Sequence, residues 1–405
     1  MRSGAFITDG HWRKTLAAVR GLGRNGIPVT VGESTRLNAS AFSRYCKRSL
    51  VYPSPFFRPH EFIDFIFREL TRNSYTMLLP MEDETLGLLS MHHEELSHMC
   101  YFPAVTHDKL LMAQRKDKVL QLAENLGIPI PKTWYVTDLS QLNQIAAALP
   151  YPVVIKPRTG AGAVGISYPE TQEELKSRYI LTHKRFPFPI IQERIPQQGE
   201  GYGASFLIDE GGRVKASFVH KRLREYPITG GASTLRESVR RVDIRDMSMT
   251  LLKALDWFGV AMVEFKVDPR DGIPKLMEIN PRFWGSLALA IESGVNFPYL
   301  LYRMARGEDF KPVETYQIGM RCRWFLPGDM LHFIYNPDRR NLLPGFFNFL
   351  DPTTAHDIFS ARDPMPVLGT ILTPITFLYD RDMRFRLEKR SPFAIKKGRQ
   401  EAVRE

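Results

Sequence analysis

The sequence lacks the long apolar runs of a membrane protein and has few cysteines. Its 405 residues include three cysteines, Cys46, Cys100 and Cys322, which are far apart and odd in number. This usage fits a reducing cytosol and argues against a disulfide framework or a zinc site. No apolar run follows a basic start, so we expect no secretory signal and a cytoplasmic protein.

The longest apolar segment, PMPVLGTILTPITFLY at 364–379, is too short to span a membrane, and its three prolines predict that it is broken. Positive charge is in excess: the net charge is +11, and residues 381–405 hold nine Lys or Arg against four Asp or Glu. No aromatic-spaced basic motif of the RNA-binding kind is present, so we expect no nucleic-acid partner. The carboxy-terminal pattern predicts either peripheral contact with an anionic membrane or a core segment with a solvated tail.

Composition is otherwise that of a globular protein, 43% apolar and 24% charged, and the length predicts two or three domains or lobes. Strand and helix patterns alternate over 1–112, which predicts a small parallel sheet in a Rossmann-like α/β domain. Residues 113–198 contain a glycine-rich loop, and 199–310 contain antiparallel-looking strands. The class is therefore α/β (α+β), and 311–405 form a carboxy-terminal extension whose role the sequence does not reveal.

Three short motifs resemble functional signatures but lie in the wrong context. GLGRNG at 21–26 follows a helix, so its glycines are expected to end that helix. GAGAVG at 160–165 follows a strand, but extended chain continues after it, which predicts a glycine loop between strands. HEELSH at 93–98 spaces its histidines five apart, so they cannot share one metal face of a helix.

The segment VAMVEFKVDPRDGIPKLMEINPRFWGS at 260–286 predicts a hairpin with a metal site. Glu264 and Glu278 are symmetric about Asp271 in the turn, so they should lie opposite each other or nearly so. Asn280 shares the face of Glu278, and Arg282 is expected to follow on that face. Two facing carboxylates repel unless a cation or proton lies between them, and Mg²⁺ prefers such oxygen ligands. An ordinary exposed polar face is the alternative.

A magnesium nucleotide needs cations, a flexible loop and an adenine contact, and each has a candidate. Lys156 ends the strand PVVIK, and Lys118 lies in KDKVL, where a solvated helix lysine is the alternative. The loop 159–165 can fold over phosphates because its glycines let backbone N–H groups approach. The strand in IIQERIP at 190–196 offers backbone contacts to a purine, and Glu200 could accept ribose hydroxyls.

These motifs match, in order and spacing, the ATP-grasp superfamily, which the chain resembles over about 115–310. Such a fold implies an amino-terminal domain (1–112), a small lobe with the glycine-rich loop (113–198) and a large lobe with the metal site (199–310). The likeness to carbamoyl-phosphate synthase and biotin carboxylase implies that ATP and Mg²⁺, or Mn²⁺ in its place, are bound. By this likeness, phosphate is bound by Lys118, Lys156, Gly160, Gly162 and Gly165. Adenine is bound by Gln192, Glu193 and Ile195, and ribose by Glu200. The metal ion is bound by Glu264, Glu278 and Asn280, and the acyl-phosphate by Arg282.

The resemblance departs from biotin carboxylase at one position. The acidic bicarbonate base six residues after the metal-binding asparagine is replaced by Ser286, which makes bicarbonate chemistry doubtful. The whole chain resembles instead the ATP-grasp carboxylate–amine ligases, a group that includes D-aspartate ligases. We therefore expect an ADP-forming ligase that activates a carboxylate as an acyl-phosphate and joins it to an amine. The alternatives are a non-catalytic nucleotide-binding module and an acyl-phosphate-forming enzyme without an amine acceptor.

The substrates are expected to enter beside the amino-terminal domain. Glu82 and Asp83 lie where a parallel strand gives way to a helix, which is where ligands gather in open α/β sheets; stabilisation of a helix N-terminus is the alternative. The segment HKRLREYPITGGASTLRES at 220–238 supplies an anion-binding wall, with Lys221 and Arg222 also as catalytic candidates. Further substrate candidates in it are Gly230, Gly231 and Ser233. Small-molecule carboxylate and amine substrates are the expected partners, and a homodimer is an open expectation.

Overall fold

The computed structural model describes residues 3–160, 164–349 and 351–390. The chain divides into two compact units, each built from segments that are distant in sequence. The first unit comprises Met1–Leu110, Gly203–Met262 and Asn280–Arg384. The second unit comprises Leu111–Tyr202, Val263–Ile279 and Phe385–Glu405.

Parallel strands form the sheet of the amino-terminal region, as the sequence predicts. They are β1 (Ala5–Ile7), β2 (Val29–Glu33), β3 (Cys46–Val51) and β4 (Met77–Leu79), in the order β3-β2-β1-β4. All three pairings are parallel. Every residue of β1, β2 and β4 is buried, as expected for a parallel sheet covered on both faces. The edge strand β3 is largely exposed, and its polar sequence gave no strand signal.

Helices connect these strands. They are α1 (Arg13–Gly23), α2 (Pro59–Arg72), α3 (Asp83–Ser90) and α4 (His93–Met99). The helical stretch that follows β4 is thus divided into two helices, α3 and α4. The glycines of GLGRNG end α1 as predicted, because Gly23 is its last residue and Gly26 adopts a φ of +73° in the following turn.

The second unit contains a three-stranded antiparallel sheet covered by helices. Its elements, after α5 (His107–Gln114), are α6 (Lys116–Asn125), β5 (Thr133–Tyr135), α7 (Leu142–Ala148), β6 (Val153–Lys156), α8 (Gln172–Arg185) and β7 (Ile190–Glu193). β7 is the central strand and pairs antiparallel with both β5 and β6. Leu175 and Tyr179 of α8 pack with Ile155 and Ile191 in a separate apolar core.

A seven-stranded sheet extends from the middle of the chain into its carboxy-terminal part. Its strands are β8 (Gly201–Ile208), β9 (Val214–Tyr226), β10 (Ala232–Ser238), β11 (Gly259–Val267), β12 (Pro274–Asn280), β13 (Arg321–Arg323) and β14 (Thr354–His356). Their order is β12-β11-β8-β9-β10-β13-β14, with β13 antiparallel to β10 and parallel to β14. Residues beyond 310 therefore complete this sheet.

The remaining helices follow these strands. They are α9 (Val242–Ala254), α10 (Leu287–Glu292), α11 (Phe297–Ala305), α12 (Met330–Tyr335), α13 (Pro366–Tyr379) and α14 (Arg381–Arg390). The prediction that prolines break the segment 364–379 is wrong, because α13 begins at Pro366 and continues through Pro374. A proline in the first turn loses no helical hydrogen bond. No helix within the described ranges is long and apolar enough to cross a membrane.

The core of the first unit lies between its amino-terminal sheet and the segment that follows β12. Trp284 is fully buried there, and its ring meets that of Phe297 edge to face at 5.1 Å between centroids. Leu287 and Ala290 of α10 belong to the same cluster as Ala17 of α1. This packing fixes the chain immediately after Asn280, where the predicted anion-binding residue Arg282 lies.

Candidate active site

The hairpin of β11 and β12 carries the predicted metal ligands. Glu264 lies on β11, and Glu278 and Asn280 lie on β12, which neighbours β11 in the sheet. Both glutamates are half-buried and Asn280 is buried. Because side chains alternate along a strand, Glu278 and Asn280 share one face of β12. The strand ends at Asn280, so this alternation does not decide the direction of Arg282.

The turn of this hairpin is fixed by the buried residue Asp268. Its backbone N–H donates to the carbonyl of Ile273 at 3.0 Å, and its carbonyl accepts from the N–H of Gly272 at 2.8 Å. Hydrogen bonds from Arg270 and Lys275 to its carboxylate hold the pKa of Asp268 far below its usual range. The turn is therefore stabilised from within, which fixes where the two strands begin and end.

Lys116 links the hairpin to the glycine-rich loop within the second unit. Its Nζ lies 2.9 Å from Oε2 of Glu278 and donates to the carbonyl of Gly160 at 2.7 Å. Its backbone N–H donates to the carbonyl of Arg158 at 2.7 Å. The Lys116 and Glu278 side chains are 12% and 25% exposed, so this pair is shielded from bulk water but accessible to it. The sequence pattern had indicated Lys118 instead.

The neighbouring residue Asp117 fixes the start of α6. Its carboxylate accepts from Arg115 at 3.0 and 2.6 Å and lies 3.3 Å from Nη1 of Arg158. Burial alone would raise the pKa of Asp117, but these arginines outweigh it and hold the pKa below its usual value. Lys118 is exposed on the first turn of α6. The pair Asp117–Lys118, here called the DK motif, therefore supplies one structural carboxylate and one solvent-facing lysine.

Lys156 is a buried cation at the end of β6. Its Nζ donates to Oε1 of Gln192 at 2.7 Å, and Gln192 in turn donates to the hydroxyl of Thr133 at 2.9 Å. Burial lowers the pKa of Lys156 to about 8; Glu278 opposes this change, and Lys116 adds to it. A buried lysine with a depressed pKa is stabilised by any anion that approaches it. Gln192 thus contributes its side chain here, since its backbone lies in the central strand β7.

The glycine-rich loop returns along β6 rather than entering a helix. Gly160 and Gly165 have φ values of +103° and +74°, and Gly162 lies outside the described residues. A side chain at Gly165 would lie within 2.7 Å of the ring of Phe186, so only glycine fits. Ile155 and Ser167 then form an antiparallel bridge. The prediction of a glycine loop between extended segments is confirmed, and a dinucleotide-binding turn is excluded.

The segment after β7 holds the predicted adenine and ribose contacts. Oε1 of Glu193 accepts from Lys275 Nζ at 2.9 Å, so this side chain braces the hairpin turn. Ile195 is buried and follows the end of β7, where backbone groups leave the ladder. Glu200 is exposed, and its carboxylate accepts from the hydroxyl of Tyr202 at 2.6 Å.

In the first unit, two ion pairs bring Arg282 together with the predicted substrate residues. Arg282 Nη2 lies 2.9 Å from Oδ2 of Asp83, and Lys14 Nζ lies 2.7 Å from Oε1 of Glu82. Arg282 and Lys14 both donate to the carbonyl of Phe283, at 3.0 and 3.2 Å. Burial first, and the charge of Arg282 second, lower the pKa of Lys14 to about 8. These residues form a mixed-charge cluster at the carboxyl end of β4.

The loop that carries Glu82 is held by the buried carboxylate of Asp9. Its Oδ2 accepts from the hydroxyls of Thr8 and Thr85, both at 2.6 Å. It also accepts from the backbone N–H groups of Met81 and Glu82, both at 3.1 Å. Four donors on one carboxylate oxygen make this a rigid connection between β1 and β4. Glu82 and Asp83 are thus positioned by the amino-terminal sheet.

The other substrate candidates lie on the hairpin of β9 and β10, and their side chains do not share one surface. Lys221 and Arg222 are adjacent on a strand and therefore point to opposite faces, so they cannot line one wall together as predicted. Arg222 donates to the carbonyl of Gly231 at 3.3 Å. Gly230 has a φ of +129°, and a Cβ on Gly231 would lie 2.2 Å from a carbonyl oxygen across the turn. The Ser233 hydroxyl is buried between two backbone carbonyls.

Sequence reasoning missed two lysines, Lys116 and Lys14. Lys14 lies on the buried face of α1, where a cation between apolar neighbours is itself a signal of a carboxylate partner. Lys116 precedes the DK motif by one residue and gave no signal of its own. Within the described residues, no three His, Cys, Asp or Glu side chains cluster to hold a metal ion; the predicted set has two carboxylates and an amide.

Known proteins are similar to this chain in sequence and in fold. Residues 208–325 match a family model described as "ATP-grasp in the biosynthetic pathway with Ter operon". That match includes Glu264, Glu278, Asn280 and Arg282. The chain is also 26% identical over 243 residues to a D-aspartate ligase of Enterococcus faecium, covering 54% of this chain and 56% of that enzyme. It therefore spans about half the length of this curated relative.

Solved structures share the fold at low sequence identity. The biotin carboxylase domain of 2-oxoglutarate carboxylase from Hydrogenobacter thermophilus, solved with MgADP and bicarbonate, has a TM-score of 0.65 at 14% identity, covering 79% of this chain and 74% of that one. The L-amino acid ligase from Bacillus licheniformis has a TM-score of 0.57 at 16% identity, covering 76% and 75%. The small antiparallel sheet with its glycine loop and the sheet with its acidic hairpin define an ATP-grasp fold. The chain thus has an ATP-grasp fold and is similar in sequence to ATP-grasp proteins, carboxylate–amine ligases among them.

Proposed function

We propose that the protein is an ATP-dependent, ADP-forming ligase that joins a carboxylate to an amine. The observation that carries this proposal is the contact of Lys116 with both Gly160 and Glu278, at 2.7 and 2.9 Å. It brings the backbone of the proposed phosphate loop, a cation and a carboxylate proposed to bind metal into one cluster of the second unit. Lys156 lies close enough for its charge state to depend on Glu278 and Lys116.

Such a cluster fits a magnesium nucleotide because its partners can be exchanged. The carboxylates of Glu264 and Glu278 with the amide of Asn280 would hold Mg²⁺, and Lys116, Lys118 and Lys156 would meet phosphate oxygens. A lysine that pairs with a carboxylate in the free protein would then pair with a phosphate, and the carboxylate would pair with the metal ion. Mg²⁺, or Mn²⁺ in its place, supplies charge neutralisation at the transferring phosphoryl group.

The nucleoside would lie on the segment after β7. Backbone groups beyond Glu193, at Arg194 and Ile195, are the ones that have left the ladder and can hydrogen-bond adenine. Gln192 would act through its side chain, which orients Lys156. The exposed carboxylate of Glu200 would accept ribose hydroxyls. The proposed backbone contacts to adenine therefore involve fewer residues than the sequence analysis assigns to adenine.

The first unit would supply the groups that handle the acyl carbon. Arg282 would hold the acyl-phosphate, because its guanidinium can bind oxygens in a bidentate manner. Asp83, its partner at 2.9 Å, and Glu82 carry carboxylates that can bind the ammonium group of an acceptor or receive its proton. Lys14, with a pKa lowered to about 8, is a second cation beside them. This cluster thus combines acyl-phosphate and amine recognition.

The proposed reaction has two steps. A carboxylate oxygen of the substrate attacks the γ-phosphorus of ATP, the bond to the bridging oxygen breaks, and ADP leaves. The lone pair of the amine then attacks the acyl carbon, phosphate leaves with the acyl–oxygen bond pair, and the surplus amine proton passes to a carboxylate. We propose Asp83 or Glu82 as that carboxylate and place the reaction in the cytoplasm.

An ADP-release screen with purified protein tests this function. The protein is incubated with MgATP and pairs drawn from amino acids, dipeptides and amino sugars. We expect ADP release only when a carboxylate and an amine are both present, with one amide formed per ADP. Release with a carboxylate alone would support an acyl-phosphate-forming enzyme without an amine step. Tight MgATP binding without release in any combination would support a non-catalytic nucleotide-binding module.

A further inference from the structure

Helix α13 exposes a continuous apolar stripe. Its 14 residues contain no charged side chain. The exposed apolar residues recur at helical spacing, and Ile371 and Leu378 are 58% and 78% exposed. The full set is Leu368, Ile371, Ile375, Leu378 and Tyr379. An apolar face of this length on the surface marks a site of interaction rather than part of the core.

The opposite face of α13 is tightly packed and made of small residues. Gly369, Thr373 and Thr376 are turned inward. A Cβ at Gly369 would lie 2.9 Å from the ring of Phe42 and 3.0 Å from Cα of Ala39, both in the 3₁₀ turn Ala39–Phe42. The helix is therefore fixed on the first unit by its small face, which leaves the large aliphatic side chains outward.

Arginines surround this stripe at both ends. At its start, the exposed Arg44 donates to the carbonyl of the exposed Arg362 at 3.4 Å. At its end, the hydroxyls of Tyr379 and Thr35 lie 3.5 Å apart, which brings the exposed Arg36 close to this end. The exposed residues Arg381 and Arg384 follow in α14.

The acidic residues beside the stripe are paired: Asp380 is half-buried, and its carboxylate accepts from the backbone N–H groups of Asp382 and Met383 at 2.9 and 3.2 Å. Asp363 is buried, and its carboxylate accepts from Arg20 and Ser43, both at 2.8 Å. Asp382 is buried and accepts from the hydroxyl of Ser54 at 2.8 Å. The exposed charge around the stripe is therefore positive, and the sequence continues into a stretch, 381–405, with nine Lys or Arg against four Asp or Glu.

We infer that α13 docks the protein on an anionic lipid surface, with its aliphatic stripe in the interfacial region and the arginines at the headgroups. Aliphatic side chains on one face with cations at the rim match a monolayer of acyl chains beneath anionic headgroups. Docking would hold the protein at the membrane surface through this face of the first unit. This inference does not depend on the proposed ligase activity.

Co-sedimentation of the full-length protein with lipid vesicles tests the inference. We expect binding to phosphatidylglycerol-containing vesicles at low salt and little binding to pure phosphatidylcholine. Replacing the stripe by Leu368→Ser, Ile371→Ser and Leu378→Ser should lower the bound fraction about 10-fold or more. A matched control with Met91→Ser, Leu139→Ser and Ile273→Ser, exposed apolar residues elsewhere, should bind as the unaltered protein does.

Charge is tested separately by Arg381→Gln with Arg384→Gln and by deletion of 391–405. Each should weaken vesicle binding several-fold, and added salt should have a similar effect. Failure of the unaltered protein to bind anionic vesicles at low salt would overturn the inference. A dimer in sedimentation velocity that the stripe variant alone dissociates, without vesicle binding, would instead assign the stripe to a second copy of the chain.

Discussion

Two clusters of the protein each pair a basic side chain with a carboxylate, but they differ in how far their side chains are exposed to solvent. In the second unit, Lys116 and Glu278 are 12% and 25% exposed. In the first unit, Asp357 and Arg236 are 1% and 0% exposed, and Asp357 also lies 3.1 Å from Nη1 of Arg13. The first pair can exchange its partners for those of a ligand, whereas the second is enclosed by protein.

The enclosed cluster acts as a brace within the first unit. Asp357 joins α1 through Arg13, β10 through Arg236, and β13 through the thiol of Cys322 at 3.2 Å. The ring of Trp324 covers the Arg13 guanidinium at 4.2 Å. Burial alone would raise the pKa of Asp357, but Arg236 and Arg13 outweigh it and lower the pKa. Depth therefore separates a structural ion cluster from one that suits a ligand.

The largest effect is expected from Asp357→Asn. Removing one charge of a buried group leaves arginines without their counter-ion, which should lower the free energy of unfolding by about 3–5 kcal/mol. Two nitrogens of Arg236, Nε and Nη1, are buried and have no hydrogen-bond partner among the described residues, which leaves little compensation. Urea denaturation followed by circular dichroism measures this loss. An unchanged midpoint would show that the cluster is not a brace.

The same group makes stability depend on pH in a defined direction. The pKa of Asp357 is lower in the folded state, so its contribution is fully present above its unfolded pKa and is lost as the pH falls from there through its folded pKa. Asp357→Asn should therefore remove part of the acid sensitivity of unfolding.

The next effect is expected from Glu278→Gln, which should leave the fold intact. ADP release should fall about 10²-fold or more, because a metal-held charge at a transferring phosphate contributes several kcal/mol. Steady-state kinetics at saturating Mg²⁺ measures this. Asp271→Asn in the exposed turn of the same hairpin is the matched control and should be near wild type. Equal losses in both variants would remove the metal assignment.

The sequence predicted some residues of the candidate site but not others. The carboxylates of the hairpin and the lysine after a buried strand are local patterns, so Glu264, Glu278 and Lys156 could be proposed from the sequence. Lys116 was missed because its role comes from a contact with a residue 162 positions later in the chain. Pro366 was misread because a proline in the first turn of a helix loses no hydrogen bond, whereas Pro374 lies inside α13.

A smaller effect is expected from the titration of Lys156. Its pKa of about 8 means that the charged form is lost between about pH 7 and about pH 9. The KM for ATP should therefore rise up to about 10-fold over that range, since the neutral amine attracts phosphate less. Lys156→Arg keeps its charge at these pH values, so its KM for ATP should not change with pH over this range. An unaltered melting temperature of the variant would show that its fold is intact. A pH dependence equal to wild type would place the titration elsewhere.

The smallest effects separate two residues of the β9–β10 hairpin. Arg222→Ala should raise the KM for the carboxylate several-fold more than the KM for ATP, because its guanidinium lies half-buried at the turn. Ser233→Ala should change neither KM by more than about 2-fold, because its hydroxyl donates to backbone carbonyls in the part of the chain that the structure describes. Kinetics with each substrate varied in turn measures both. A larger rise in the KM for the carboxylate from Ser233→Ala than from Arg222→Ala would indicate that the carboxylate binds at β10.

The predicted domain boundaries at 112, 198 and 310 remain a prediction. The compact units instead group 203–262 with the amino-terminal region, and β13 and β14 complete the large sheet. Limited proteolysis with and without MgADP would show which boundaries behave as linkers.

The most direct test of the account is calorimetric titration of MgADP into the unaltered protein and into Glu278→Gln. If Glu278 and Lys116 exchange partners with a magnesium nucleotide, the unaltered protein should bind ADP at least about 10-fold more tightly with Mg²⁺ than with chelator. The Glu278→Gln variant should lose most of this difference. Binding of ADP that is the same with and without Mg²⁺, or no binding by the unaltered protein, would contradict the account.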